Sequence, residues 1–229
     1  MQLGINTTTG VTIRNRSQHQ QGLTLIELML TLFIASIVLS FGGTQFSQFM
    51  ANNRMAAAAN QVNIALHTAR TEAIKRNSTI AICASKSWND DAPECDDGAT
   101  FSDGAIMFID SPAGTNPDLQ PAGAADILKA FAPIDGGITL KVADSNETHE
   151  GAQFVAFGPT GFPVTRIAGV NGSFHFQLCD KRGNMDTGAG IAAGRWISIT
   201  PTGRPQMHRK QSAVQFAGNP NGGCGSAEI

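Results

Sequence analysis

A single carboxylate, Glu27, stands inside 19 residues, Leu23–Phe41, that hold no lysine, arginine or proline. Placing that charge in a lipid-like medium costs on the order of 3 kcal/mol even on a lenient insertion scale, so an acid there is expected to serve a function. The run is close to the ~20 residues a helix needs to cross a bilayer core. The plain alternative is a glutamate near a helix end that reaches back to the headgroups.

The other residues with chemical potential are bases near the C-terminus. Residues 84–150 hold 13 acids against Lys86, Lys129 and Lys141. Residues 166–227 hold seven bases (Arg166, Lys181, Arg182, Arg195, Arg204, Arg209 and Lys210) against Asp180 and Asp186. A local excess of this kind can hold phosphates even on a chain of formal charge −2. Lys181, Arg182, Arg195, Arg204, Arg209 and Lys210 are therefore candidate DNA-binding side chains, with a solvated basic face or a contact to a neighbouring subunit as the alternative. Binding would be to phosphate, so it would weaken with salt and show little sequence preference. Trp88 and Trp196 offer rings for stacking, but a tryptophan in a strand, such as Trp196, is expected in the core.

Little else suggests a reacting centre. Asp90, Asp91, Glu94, Asp96 and Asp97 lack the spacing of a calcium loop and are interrupted by Pro93 and Cys95, so a solvated loop is expected. His67, His149, His175 and His208 show no metal spacing, and no cofactor is expected. His175, between Phe174 and Phe176 on a strand, should point to the opposite face from both. There is no Gly-x-Ser-x-Gly, no phosphate loop and no His-Glu-x-x-His, and Gly188-Ala-Gly190 lacks a strand–helix setting. The chain does not read as an enzyme.

Four cysteines, Cys83, Cys95, Cys179 and Cys224, follow the apolar run, and in an exported domain they should pair. Three connectivities are possible. Cys83–Cys95, closing a short loop, and Cys179–Cys224, tying the tail to a strand, are favoured.

The elements that position these residues begin with the head at 1–22. Its Arg14 and Arg16, with His19, put positive charge before the apolar run, which places the rest of the chain outside. No A-x-A-like site closes the run, so the pattern is not that of an ordinary secretory signal. Loss of residues 1–22 would take the formal charge from −2 to −4. The helix should continue past Phe41. No proline precedes Pro93, Met50–Arg76 is rich in helix formers, and Val62, Leu66, Ala69 and Ala73 form a stripe one face can bury. A helix from Leu23 to Arg76 would measure roughly 80 Å, with Gly42-Gly43 as its weak point.

After Arg76 the period changes to that of strands: Thr79–Cys83, Ala105–Ile109, Ile127–Phe131, Ile138–Val142, Gln153–Phe157, Ser173–Leu178, Trp196–Ile199 and, more weakly, Ala213–Phe216. Turns such as Asp135-Gly-Gly, Gly158-Pro-Thr-Gly and Asn219-Pro-Asn-Gly separate them. Ser111–Ala125 and Asn184–Ala193 read as loops. One long helix followed by short antiparallel strands makes the fold class α+β.

Gly22-Leu-Thr-Leu-Ile-Glu27-Leu-Met resembles the class III signal of type IV prepilins and pseudopilins. The resemblance implies cleavage by a prepilin peptidase between Gly22 and Leu23, N-methylation of Leu23, and a Glu27 that meets a neighbouring subunit's N-terminal amine in assembly. Such chains usually begin with phenylalanine; Leu23 is a mild departure. Three further carriers resemble the GspH/FimT group of minor pilins and pseudopilins over essentially residues 22–229. They are Arg76-Asn-Ser-Thr-Ile-Ala-Ile-Cys83; Gly104-Ala-Ile-Met-Phe-Ile-Asp110; and Phe154–Gly161 with Leu178–Gly183 and Ile199–Arg204.

The group implies a type IV pilin-like fold: a leader at 1–22, a transmembrane or filament-core half-helix at 23–41, an amphipathic half at 42–77 packed on the head, and a β-rich head at 78–229. It implies a minor pilin, single-pass in the inner membrane with its head in the periplasm and later in a type IV pilus at the cell surface. Its partners would be other major and minor pilins. The alternative is a type II secretion pseudopilin of GspH type. Some FimT-like proteins are DNA receptors for natural transformation and use a Gly-Arg-x-Arg loop. Here Gly203-Arg204-Pro205-Gln206 lacks the second arginine, and Arg209 and Lys210 could replace it toward double-stranded DNA if Arg204–Lys210 is a mobile loop.

Overall fold

The computed structural model describes residues 22–96, 98–112, 120–134, 137–144, 154–164, 174–215, 219 and 221–225. Residues 1–21, with Arg14, Arg16 and His19, lie outside the described residues, as do Asp97, residues 113–119 of the expected loop at 111–125, the turn at 135–136, His149, Arg166 and Phe216. So do the side chains of residues 41–45. The chain divides into two compact units, Met1–Gln45 and Phe46–Ile229. Helix α1, Leu25–Arg76, is 52 residues long and includes Gly42-Gly43 without a break.

In the first unit the described stretch of α1 is apolar on every side. Leu25, Ile26, Leu28 and Ile34, which point in different directions around the helix, are all exposed. Its few hydroxyls turn inward: Thr31 Oγ1 donates to the Leu28 carbonyl (2.9 Å), Ser36 Oγ to that of Phe33 (2.7 Å) and Ser40 Oγ to that of Ser36 (2.7 Å). Helix hydroxyls bonded this way ask nothing of the surroundings. Among the described residues no helix is long and apolar enough to cross a membrane; the described apolar side chains stop at Ser40, one short of the expected Phe41.

In the second unit α1 becomes amphipathic. Met55, Ala59, Val62, Leu66, Ala69 and Ala73 are buried at 3–4-residue spacing, the stripe a helix face presents to a core. The alanines let the backbone approach closely. Asn77, with φ 51°, ends the helix in the left-handed region where asparagine is tolerated, and Lys75 and Arg76 occupy the last turn, where cations suit the dipole.

Two four-stranded antiparallel sheets follow. One has the order β3-β2-β1-β5 and the other β4-β6-β7-β8. Their ranges are β1 Ser78–Ala84, β2 Ala105–Pro112, β3 Ile127–Phe131, β4 Thr139–Asp144, β5 Phe154–Phe157, β6 Phe174–Cys179, β7 Ile191–Ile199 and β8 Pro205–Lys210. A short helix α2, Gln211–Val214, closes the described regular structure. The α1 stripe, Ile80 and Ile82 of β1, Phe176 and Leu178 of β6, and Ile197 and Ile199 of β7 share one core. β1 is buried at every position after Ser78 and apolar from Ile80 onward, because its other face is covered too: Ala81 and Cys83 pack with Ile106, Phe108 and Ala156, and Trp88 and Cys95 lie against them.

Three expectations are corrected. The loop expected through Ala193 is strand from Ile191 onward. The segment Arg204–Lys210 is not a loop, because Pro205–Lys210 pairs with β7. The strand expected at Ala213–Phe216 is instead the helix Gln211–Val214, as far as it is described.

Candidate functional site

The start of α1 is built by a local rule. Thr24 precedes the helix, and its Oγ1 accepts the backbone N–H of Glu27 at 3.3 Å. The Thr-x-x-Glu spacing is that of a capping box, and it sets the Glu27 carboxylate in the first turn, where the helix end is partly positive. The sequence reading missed Thr24, although the spacing was there to be read. A Cβ added to Gly22 would meet nothing within 4 Å, so packing does not demand glycine there.

The basic candidates separate into two groups. Lys181, Arg204, Arg209 and Lys210 are exposed. Arg182 and Arg195 are not: they are 9% and 6% exposed, which corrects their assignment to a solvent-facing surface. Arg182 lies 2.6 Å from Asp180 Oδ2, and its Nη1 donates to Asn52 Oδ1 of α1. Arg195 Nη1 donates to the carbonyls of Ala192, Ala193 and Gly194. Burial, together with the nearby guanidinium groups of Arg209 and Arg182, pushes the Arg195 pKa down, and Asp180 opposes that.

Arg204 closes a tight turn. The Gly203 N–H donates to the Thr200 carbonyl (2.8 Å), and Arg204 N–H donates to Thr200 Oγ1 (3.2 Å). Gly203 has φ 77°, and a Cβ there would collide with the Gly161 carbonyl oxygen, so glycine is required twice over. Both this turn and the one at Gly161 are held from α1. Arg70 Nε donates to the Gly161 carbonyl at 3.1 Å and its Nη2 to that of Thr202 at 3.2 Å. In the sequence Arg70 stood out only as one of several charged residues, with Glu72, Lys75 and Arg76, that lie off the apolar stripe. The exposed Arg209 and Lys210 follow on β8, an edge strand, where successive side chains point to opposite faces.

On the face of this sheet away from the core, Trp196 is 8% exposed and stacks between His175 (5.6 Å between centroids) and His208 (4.4 Å). It is a packed ring, not a free stacking platform. His175 lies on the face opposite Phe174 and Phe176, as its place in the strand implies. Burial pushes the pKa of His208 down.

The acidic loop is a disulfide-closed structure. Cys83 is joined to Cys95, and Cys179 to Cys224. Lys86 Nζ lies 3.7 Å from Asp96 and donates to the Gly98 carbonyl, while the backbone N–H of Thr100 donates to Asp103 and holds that carboxyl below its usual pKa. Among the described residues no group of histidine, cysteine and carboxylate side chains could hold a metal ion.

A family model described as type II transport protein GspH matches residues 58–203, and one described as a prokaryotic N-terminal methylation motif matches residues 17–42. No curated protein matches the chain in sequence. Two crystal forms of the type IV minor pilin FimU from Pseudomonas aeruginosa are similar to it. One is 22% identical with TM-score 0.45, covering 70% of this chain and 92% of that one. The other is 20% identical with TM-score 0.42, covering 67% and 91%.

Proposed function

Because the chain belongs to the GspH family and carries an N-terminal methylation motif, which makes it a minor pilin or pseudopilin, we propose that it serves a type IV pilus and acts by assembly rather than by chemistry. Glu27 carries this reading. It is the one charge on a helix stretch that is apolar all round, and among the described residues no base pairs with it. Thr24 caps the helix through the Glu27 backbone and leaves the carboxylate available.

Cleavage between Gly22 and Leu23 by a prepilin peptidase would free an amine four residues before Glu27. In the filament the Glu27 of one subunit compensates the N-terminus of a neighbour, a major or minor pilin. Before assembly Leu23–Phe41 spans the inner membrane, with the head in the periplasm. A buried pair of this kind sets register more than it adds stability. Intact mass of the protein recovered from filaments tests the premise. A chain beginning at methylated Leu23 is expected, and a chain still carrying residues 1–22 would overturn it.

A second role, DNA capture for natural transformation, is favoured by the exposure of Arg204, Arg209 and Lys210 along one turn and edge strand. Lys181 is exposed as well. Contact to phosphate would dominate, so retardation of duplex DNA should fall steeply with salt. Replacing Arg204, Arg209 and Lys210 together by Ala should abolish it; unchanged retardation removes this role and leaves the assembly role intact. Membership of a family of type II transport proteins favours a rival reading, a pseudopilin of type II secretion, for which deletion would stop export of secreted proteins while pili remain.

A further inference from the structure

We propose, on the reading that Leu23–Phe41 spans the inner membrane, that a cleft between α1 and the turn after β6 seats the headgroup of an anionic phospholipid on the periplasmic side. The cleft measures about 530 Å³. Arg54 of α1 and Lys181 of the turn line it, together with Met50, Ile138 and Met185. Three bases and one acid line it in all, leaving two positive charges in excess. Arg54 and Lys181 are exposed, and among the described residues no carboxylate pairs with either. The acids closest to Lys181 in sequence are already taken. Asp180 Oδ2 lies 2.6 Å from Arg182 Nη2, and Asp186 accepts the N–H groups of Gly188 and Gly190. An anion entering the cleft therefore meets two uncompensated bases.

Arg182 is frame here, not ligand. Its Nε and Nη2 donate to Asp180, and its Nη1 donates to Asn52 Oδ1 at 2.6 Å. That last bond fastens the turn to α1 two residues before Arg54. The Gly183 N–H donates to the Asp180 carbonyl at 2.9 Å and closes the turn, so Lys181 enters the cleft from a fixed wall. Around the bases the surface is apolar: Phe46, Phe49, Met50 and Met185 are all exposed. Bulky apolar side chains beside bases suit the boundary between headgroups and acyl chains, and each base near an anionic bilayer adds attraction. Ser47, the first cleft residue in sequence, follows Phe41 by six residues. The chain therefore keeps it within roughly 20 Å of the end of the apolar run, whatever its path. Two merely solvated bases would explain the exposure of Arg54 and Lys181, but not the large apolar side chains left open around them.

The test reconstitutes the mature chain in vesicles of phosphatidylcholine alone and in vesicles that also contain phosphatidylglycerol, at equal ionic strength. Flotation with the phosphatidylcholine vesicles checks the span by itself; a chain left in the soluble fraction overturns the span, and the cleft's role with it. The readout is the rate at which an uncharged amine-reactive reagent modifies Lys181, relative to the exposed Lys75 in the last turn of α1. Phosphatidylglycerol should slow modification of Lys181 at least about fivefold. Arg54→Gln, at an exposed position, should lose most of that slowing, whereas a diffuse surface charge would slow both chains alike. Equal rates in the two kinds of vesicle, or full slowing in Arg54→Gln, overturns the proposal. So does the same slowing in phosphatidylcholine vesicles on adding inorganic phosphate, which would give the cleft to a free anion, or on raising the ratio of protein to lipid, which would give it to a neighbouring chain.

Discussion

Arg70 of α1 donates from Nε to the carbonyl oxygen of Gly161 at 3.1 Å, and with the same guanidinium it reaches Thr202. Two turns from the two different sheets are thereby fixed to one side chain of the helix, and the second of them carries Arg204. The helix that supplies the core stripe thus also sets the position of a candidate binding residue.

Removing this clamp should loosen both turns. Arg70→Ala is expected to destabilise the head by about 1–3 kcal/mol, the usual cost of losing hydrogen bonds from a charged group. Arg70→Lys should recover part of that, since lysine keeps the charge but loses the fork. Urea unfolding measures the difference. A midpoint unchanged in Arg70→Ala would mean that the turns hold themselves.

The two disulfides should differ in worth. The Cys83–Cys95 bridge spans 12 residues and the Cys179–Cys224 bridge 45. Loop-closure entropy then gives roughly 3 and 4 kcal/mol respectively. Replacing Cys179 and Cys224 by Ser should therefore lower stability more than replacing Cys83 and Cys95, by about 1 kcal/mol. Equal losses in urea unfolding would show that strain or residual structure outweighs loop length.

Stability should fall on acidification through the histidine range. The folded-state pKa of His208 lies below its ordinary value because of burial, so the unfolded chain binds the proton more readily. The stabilisation is fully present above about pH 6.5, the ordinary value, and is lost as pH falls through the lower folded value. The ring is stacked on Trp196 and its Nε2 lies 3.1 Å from Ser198 Oγ. His208→Gln should flatten this part of the unfolding free-energy profile; an unchanged slope would place its origin in another group.

The long helix and the order of most strands were legible because their residues obey strong periods. Val62, Leu66, Ala69 and Ala73 repeat as a helix face must, and β1 and β3 are short apolar runs between breakers. β8 escaped because Pro205-Gln-Met-His-Arg-Lys is an edge strand that faces water and shows no apolar alternation. The first half of β7 escaped because Ala192, Ala193 and Gly194 carry no β signal, and the bridge to Cys224 holds them. Val214 looked like a strand residue beside Gln215 and Phe216, yet it is the buried residue of a one-turn helix. Counting charges could not separate Arg204 and Arg209 from the buried Arg182 and Arg195, since Arg182 is held by Asn52 of the distant helix α1 and Arg195 by the carbonyls of a bulge that shows no sequence signal.

The most direct test of the central claim follows Glu27 into the filament. Glu27→Ala and Glu27→Gln should reach the membrane at wild-type levels yet be missing from sheared filaments. Thr24→Ala, which weakens only the helix cap by about 1 kcal/mol, should still be incorporated. Wild-type amounts of both Glu27 variants in the filament fraction would contradict the account, because the carboxylate would then have no part in assembly.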